Sequence, residues 1–246
     1  MKINKIIILD NLKTLFYAFI IAVIIRSLFF QPFYIPSSSM EPTLLVGDRL
    51  FVSKFSYGYS KHSFPFSPNF TQSRIIFKEP KRGDVVVFKT PADNRTDYIK
   101  RLIGLPGDEI QFIDGNLYIN KNQVSRSKII INNKKIYCGN NYFDTESFQE
   151  VLPNGIKYVA VYRKNGSYQN SDKFIVPKDH YFFLGDNRDC SKDSRYLSSV
   201  GYVNKLNLVG KAQILFFSSD IRIGSIFNIF KWSEIIRLDR FFKFIK

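Results

Sequence analysis

A serine cluster and a distant lysine are the residues of this chain best suited to chemistry. Ser39 lies in the run Pro-Ser-Ser-Ser-Met-Glu-Pro, where Pro36 and Pro42 restrict the backbone on both sides. A serine hydroxyl becomes a good nucleophile only when a neighbouring base removes its proton. The amine of Lys100 can be that base if burial keeps it uncharged. Together, the two residues would suit acyl transfer to serine.

Lys100 is the candidate base because of its place in a predicted strand. In the run 98–103, strand alternation puts Lys100 on the same face as Tyr98 and Leu102, and Arg101 on the other face. If the first face is buried, desolvation lowers the pKa of the lysine from its usual value of about 10.4. An exposed strand lysine, charged and unreactive, is the alternative.

The segment 185–195, Gly-Asp-Asn-Arg-Asp-Cys-Ser-Lys-Asp-Ser-Arg, carries further candidates. It is too polar and turn-prone for a core strand, and too dense in functional groups for an ordinary linker. It can supply a hydroxyl that orients the lysine amine and an Asp193–Arg195 ion pair that stabilises the loop. For any single residue of the segment, a plain turn is the alternative.

These candidates follow an apolar segment, 14–30, which has the length of a short membrane-spanning helix. Near the end of this segment, the long side chain of Arg26 can place its guanidinium group among the lipid headgroups. A cleaved secretion signal is the alternative, but no small-x-small cleavage site follows. Lys2, Lys5 and Lys13 favour a cytoplasmic N-terminus, so the rest of the chain would face the periplasm or cell exterior.

The remainder of the chain predicts a mainly β fold, because short strand-like runs alternate with Asn/Gly turns. We expect a single N-terminal transmembrane helix followed by a β-sheet catalytic domain with an inserted β-hairpin subdomain. The expected boundaries are a cytoplasmic tail at 1–13, the anchor at 14–30, core segments at 31–109 and 174–220, the insert at 110–173, and a C-terminal segment at 221–246. The last segment is basic and aromatic; it is interpreted as a membrane-surface contact, with packing on the domain as the alternative.

The charge of the chain indicates which kinds of molecule it is expected to contact. The formal charge of +15 is typical of proteins that meet nucleic acid or anionic lipid. Because no nucleic-acid-binding module is recognisable, we expect a phospholipid bilayer and no nucleic acid. We expect no metal and no cofactor. Cys138 and Cys190 are interpreted as two unpaired thiols, with a single disulfide as the alternative.

In their order along the chain, these motifs resemble those of the bacterial type I signal peptidases. The matching segments are the apolar segment, the serine box, Gly47-Asp48, Arg82-Gly83-Asp84, the stretch from Tyr98 to Asp108, and the loop from Gly185 to Arg195. The resemblance implies a signal-peptidase type of β domain and a Ser/Lys dyad. In that dyad, Ser39 is the nucleophile and Lys100 the general base.

The resemblance also implies supporting roles. The Ser37 hydroxyl, with the Ser39 backbone N–H, would stabilise the oxyanion; Ser191 would orient the lysine; and Asp193 and Arg195 would form the supporting ion pair. The residues implied to line the substrate pockets are Phe33, Ile35, Pro36, Met40, Leu44, Val87, Tyr98 and Ile99.

The implied function is that of a membrane-bound serine endopeptidase that removes N-terminal signal peptides from exported preproteins after small residues. It would sit in the bacterial inner membrane with the catalytic domain on the periplasmic or outer face. Two positions depart from the family: Ser38 where glycine is common, and Cys190 where asparagine is common. The rival hypotheses are a hydrolase using His62 or His180 as base, a repressor-type Ser/Lys autopeptidase, and a lipid-associated binding module without catalysis.

Overall fold

The N-terminal apolar segment forms one long helix. The computed structural model describes residues 5–68, 73–131, 136–139, 141–224 and 228–246. Helix α1 (Lys5–Ile24) continues as a π-helical turn (Ile25–Phe29), and the stretch Ile8–Phe29 is long and apolar enough to span a membrane. The helix begins before the expected boundary at residue 14, and Phe30 belongs to a strand. Because the residues on both sides of the junction between the helix and the first strand, Phe29 and Phe30, are apolar, hydropathy alone does not locate the end of the helix.

The described part of the chain after α1 is mainly strand, which confirms the predicted fold class. The strands are β1 (Phe30–Tyr34), β2 (Asp48–Ser53), β3 (Val85–Lys89), β4 (Asp97–Gly104), β5 (Glu109–Ile113), β6 (Asn116–Ile119), β7 (Asn122–Gln123), β8 (Ser125–Ile129), β9 (Ile136–Cys138), β10 (Asn141–Phe143), β11 (Thr145–Val151), β12 (Lys157–Arg163), β13 (Phe174–Ile175), β14 (His180–Leu184), β15 (Val203–Asn204) and β16 (Leu208–Ser218). A short helix, α2 (Trp232–Ile235), lies near the C-terminus.

One large sheet positions the candidate site. It has seven strands in the order β1-β2-β16-β3-β4-β14-β15, and every neighbouring pair is antiparallel. The chain between β4 and β14 forms three smaller sheets, ordered β13-β5-β6-β7, β12-β11-β8 and β10-β9. The serine box lies between β1 and β2, whereas the lysine lies on β4.

Strand β3 explains how the large sheet is held. Its run Val-Val-Val-Phe is buried on both faces, as a continuous apolar strand predicts. Val85 and Val87 pack into the cluster that surrounds the serine box, and Val86 and Phe88 pack into a second cluster on the other face. Val86 pairs with Lys100 of β4, so the lysine lies next to a buried strand.

The C-terminal segment packs on the domain. Arg240 is buried and its guanidinium donates to both carboxylate oxygens of Asp48, at 3.0 and 2.6 Å. The backbone N–H of Ile245 donates to the carbonyl of Gln213, and Ile235 is fully buried. Packing, the alternative weighed from the sequence, is therefore observed. Contact with a membrane stays a prediction for the exposed aromatic side chains of this segment, Phe230, Phe242 and Phe244.

Candidate active site

Ser39 and Lys100 meet in the structure. Ser39 lies in a 3-10 turn (Ser38–Met40), and Lys100 lies in the middle of β4. The Lys100 Nζ atom is 2.6 Å from Ser39 Oγ and 3.0 Å from the carbonyl oxygen of Ile99. Both residues are buried, Ser39 with 7% and Lys100 with 3% of its surface exposed. This is hydrogen-bonding distance for proton transfer between the amine and the hydroxyl.

The surroundings of Lys100 favour its neutral form. Burial lowers the pKa of Lys100 from 10.5 to about 8, while the negative charges of Asp193 and Asp186 act in the opposite direction. The ring of Tyr98, on the same face of β4, lies with its centroid 5.4 Å from Nζ. With a pKa near 8, about one-tenth of the amine is neutral at pH 7. The expected desolvation of this lysine is therefore observed.

The serine turn is fixed from two sides. Asn187 donates its backbone N–H to the carbonyl of Ser39 at 3.1 Å and its side-chain amide to the carbonyl of Ser38 at 3.1 Å. On the other side, Met40 and Leu44 are fully buried in the hydrophobic core. Such anchoring holds Ser39, the candidate nucleophile, in one orientation.

Met40 and Leu44 therefore differ from the expectation that they line the substrate pockets. Neither side chain has accessible surface, because both point into the cluster formed with Leu50, Val52 and Leu215. They support the serine turn from beneath.

The cleft beside the Ser39–Lys100 pair has a volume of about 520 Å³. It contains six of the expected pocket residues: Phe33, Ile35, Pro36, Val87, Tyr98 and Ile99. It also contains Ser37, Ser39 and Lys100, together with Tyr34, Asp97, Cys190 and Lys192, which sequence reasoning did not assign. A polar end with the dyad thus adjoins an apolar channel.

Two strand edges border this channel. Strand β1 is an edge strand of the large sheet, so one of its sides has no strand partner among the described residues. On β4, the described pairing with β14 covers Arg101, Leu102 and Gly104, which leaves residues 97–100 without a strand partner on that side. An extended peptide can pair its backbone with such edges.

Ser37 stands beside Ser39, the candidate nucleophile. Its side chain is exposed to the cleft, and its Oγ lies 3.3 Å from Ser39 Oγ. A hydroxyl at this distance from the attacking oxygen can reach an oxyanion formed on a carbonyl carbon bonded to Ser39.

The loop after β14 contains the expected ion pair. The Arg195 guanidinium donates to Asp193 at 2.8 and 2.9 Å, and the Gly185 N–H donates to the same carboxylate at 3.0 Å. Burial alone would raise the pKa of Asp193, but the charge and hydrogen bonds of Arg195, with the Gly185 N–H, bring it below its usual value. The pair is therefore ionised and fixes the loop against β14.

The resemblance implies that Ser191 orients Lys100, but in the structure its hydroxyl makes no hydrogen bond to that lysine. The Ser191 hydroxyl is buried and forms no hydrogen bond of normal geometry to another described residue, although it is close enough to Asp193 to lower the pKa of that carboxyl. It packs against Gly185, where an added Cβ would overlap the Ser191 side chain. Gly185 therefore has to lack a side chain for Ser191 to reach this place.

Sequence reasoning missed a second ion pair that joins the motifs. Arg101, fully buried on the opposite face of β4 from Lys100, donates to Asp186 at 2.8 and 2.7 Å. Thr43, from the serine box, donates its hydroxyl to the same carboxylate at 2.5 Å. The only sequence signal was a charged residue, Arg101, within a strand-like run directly after Lys100; nothing in the sequence indicated that Asp186 is its partner.

The insert also supports the loop. Arg188 is buried and pairs with Glu150 of β11 through two hydrogen bonds, at 2.6 and 3.1 Å. Tyr158 and Tyr162 of β12 donate their hydroxyls to the same carboxylate at 2.5 and 2.6 Å. Every charge in this buried network is matched, so it holds the loop rigidly against the insert.

Cys138 and Cys190 form a disulfide, with their Cα atoms 5.3 Å apart. The interpretation of two unpaired thiols is therefore wrong. The residues are 52 positions apart in the chain, and β9 packs against the loop because Asn187 donates its amide to the carbonyl of Tyr137 at 3.0 Å. Sequence gave no sign of that packing. The bridge joins the insert to the wall of the cleft, immediately before Ser191.

Neither histidine belongs to this cleft. His62 lies in another cavity, where burial lowers its pKa to about 4 and its Nδ1 is 3.0 Å from Ser67 Oγ. The ring of His180 contacts the carbonyl of Lys178 and the amide of Asn204. A histidine base for Ser39 is therefore inconsistent with the geometry.

Comparison with known proteins identifies relatives of this chain. The family described as signal peptidase, peptidase S26, matches residues 8–217. Signal peptidase I of Rickettsia typhi is 44% identical over 242 residues, which cover 91% of this chain and 88% of the relative; that of Rickettsia conorii is 43% identical over 249 residues, covering 92% and 90%. A crystal structure of a signal peptidase I from Enterococcus faecalis is 28% identical, with a TM-score of 0.32, covering 55% of this chain and 97% of that one.

Proposed function

The chain belongs to the signal peptidase family, peptidase S26, and we propose that it is a membrane-bound serine endopeptidase that removes N-terminal signal peptides from exported preproteins after small residues. The observation that carries the proposal is the 2.6 Å contact between Lys100 Nζ and Ser39 Oγ in a buried site. The lowered pKa of Lys100 supports the same role, because only the neutral amine can accept a proton.

The chemistry would proceed in two steps. Neutral Lys100 accepts the Ser39 hydroxyl proton as Oγ attacks the scissile carbonyl, and the Ser37 hydroxyl with the Ser39 N–H stabilises the resulting oxyanion. Lys100 then gives the proton to the leaving amine, which departs as the N-terminus of the mature protein. In the second step, Lys100 activates water, which hydrolyses the acyl-enzyme and frees the signal peptide.

The cleft supports the proposed preference for small residues before the cut. A peptide extended along β1 and residues 97–100 of β4 would place alternate side chains against the apolar walls. Next to the dyad, those walls are formed by Ile35 and Val87, which are 2% and 1% exposed and belong to the packed core. Such walls accept a methyl group, whereas a larger side chain would have to displace core residues.

The membrane segment supports the same function by proximity. With α1 inserted in the inner membrane, the N-terminus cytoplasmic and the β domain on the outer face, the enzyme and the hydrophobic part of a signal peptide share one membrane. Confinement to the same bilayer raises their effective concentration without any additional contact.

Cleavage of a matched pair of preproteins tests the proposal. We expect the purified full-length protein, in uncharged detergent, to cut a preprotein with alanine before the scissile bond. With phenylalanine there, the rate should fall by about a hundredfold or more, because the walls beside the dyad cannot accept the ring. N-terminal sequencing of the product and the initial rates provide the measurement. Equal cleavage of both preproteins, or cutting of neither, would contradict the proposal.

A further inference from the structure

A second cavity, of about 480 Å³, adjoins the substrate cleft and shares Phe33 and Asp97 with it. We call it the basic pocket, because it contains five cationic side chains: Arg26, Lys54, Lys61, Lys89 and Arg95. Arg26 belongs to the turn that ends the membrane-spanning stretch. The pocket therefore lies at the level where α1 would leave the membrane.

The positive charge of the basic pocket is not balanced by the protein. Two carboxylates face the five cations. Asp97 pairs with Lys89 at 2.9 Å, and Asp93 accepts hydrogen bonds from the Thr96 hydroxyl and from the backbone N–H groups of residues 95 and 96. Among the described residues, no ion pair involves the side chains of Arg26, Lys61 or Arg95. Several donors thus remain for an anion.

Lys54, at the floor of the pocket, gives the strongest indication that the pocket binds an anion. It is 2% exposed, and the described contacts of its ammonium group include one acceptor, the carbonyl of Ser63 at 2.5 Å. Burial, followed by the charge of Arg26, lowers the pKa of Lys54 to about 8. Asp97 acts on this pKa in the opposite direction, but no carboxylate among the described residues pairs directly with Lys54. A buried cation without such a pair is costly, and a bound anion would compensate it.

The surroundings of Arg26 indicate which anion fits. Arg26 also lines an apolar groove of about 850 Å³, whose other lining residues include Ile25, Phe30, Phe51 and Ile214. At the other border of the basic pocket, the Phe66 side chain is fully exposed. An acyl chain matches the groove and a phosphate matches the pocket. A carboxylate on a bound peptide would explain the pocket but not the groove.

We propose that the basic pocket binds the phosphate headgroup of an anionic membrane phospholipid, with an acyl chain in the adjoining apolar groove. The inference depends on the proposed insertion of α1 into a membrane, but not on the proposed chemistry at Ser39. A lipid held there would fix the domain at headgroup depth, with the open end of the cleft at Phe33 next to the bilayer.

Native mass spectrometry of the full-length protein in uncharged detergent tests this binding directly, without reference to peptidase activity. The probes are dioctanoyl phosphatidylglycerol, dioctanoyl phosphatidylcholine, and glycerol 3-phosphate as a free phosphate. We expect one phosphatidylglycerol to be retained, with the other two binding at least about tenfold more weakly. Phosphatidylcholine binding as tightly would overturn the anionic preference, and glycerol 3-phosphate binding as tightly would overturn the lipid assignment.

Charge-matched variants locate the site. We expect Lys61→Gln with Arg95→Gln to raise the Kd for phosphatidylglycerol by about tenfold, as loss of two partly exposed ion pairs would. Lys164→Gln with Lys178→Gln removes the same charge from exposed positions outside the pocket and should change Kd less than twofold. Lys54→Gln provides a single substitution at the floor and should also weaken binding. Equal losses in the control and pocket variants, or no loss in either pocket variant, would overturn the proposal.

Discussion

Replacing Lys100 with methionine is expected to abolish preprotein cleavage, lowering kcat by about 10⁴-fold or more. Methionine has a similar length and suits a buried position, so the fold is retained, but it has no basic nitrogen to accept the Ser39 proton. Ser39→Ala should reach the same residual rate. Because the two groups act as one unit, the double variant should be no slower than either single variant. Initial rates on a single preprotein, with circular dichroism of each variant, provide the measurement.

A matched control variant distinguishes the loss of the base from the loss of a positive charge in the cleft. Lys192 also lies in the cleft, but its side chain is exposed and it is not hydrogen-bonded to Ser39. Lys192→Met should therefore retain kcat within a few-fold of the wild-type value. If Lys100→Met kept more than about a tenth of the activity while Lys192→Met lost it, Lys100 would not be the base.

Ser37→Ala is expected to lower kcat by about 10²- to 10³-fold with little change in KM. The Ser37 hydroxyl lies beside Ser39 Oγ and would donate to the oxyanion, which exists only after attack on the carbonyl. An interaction made only in the transition state affects kcat rather than substrate binding. Steady-state kinetics on the same preprotein measure the two constants.

Two further variants test that assignment. Ser37→Thr keeps the hydroxyl and should restore most of the rate. Ser38→Ala removes a neighbouring hydroxyl that is buried and for which the resemblance implies no catalytic role, so its kcat should stay near wild type. A loss confined to KM in Ser37→Ala, or an equal loss of kcat in Ser38→Ala, would contradict a role in the oxyanion site.

Strand alternation was the part of the sequence that predicted the site best. It placed Lys100 on one face with Tyr98 and Leu102, and the observed register of β3 and β4 has this arrangement. Local periodicity works here because a strand has only two faces and one of them must be buried. It does not reveal that the other face is buried as well. Arg101 is fully buried there, in an ion pair with Asp186 that sequence could not show.

The contacts that sequence could not predict are those between distant segments. The disulfide requires β9 to lie against the loop at Cys190, and Glu150 must meet Arg188 across 38 residues of chain. Each depends on how the insert folds back onto the large sheet. Met40 illustrates the same limit within a motif: the family resemblance supplied its position, but only the packed core shows that its side chain is inaccessible.

The pH dependence of kcat/KM tests the central claim most directly, because it reports the ionisation of the essential base in the free enzyme. If neutral Lys100 is the base, its pKa of about 8 means that kcat/KM should rise about tenfold per pH unit below 8 and level off above it. The same curve is expected when His62 and His180 are both replaced by asparagine. A rate that is flat from about pH 6 to 9, or an inflection near 6.5 that disappears in the double histidine variant, would contradict a lysine base.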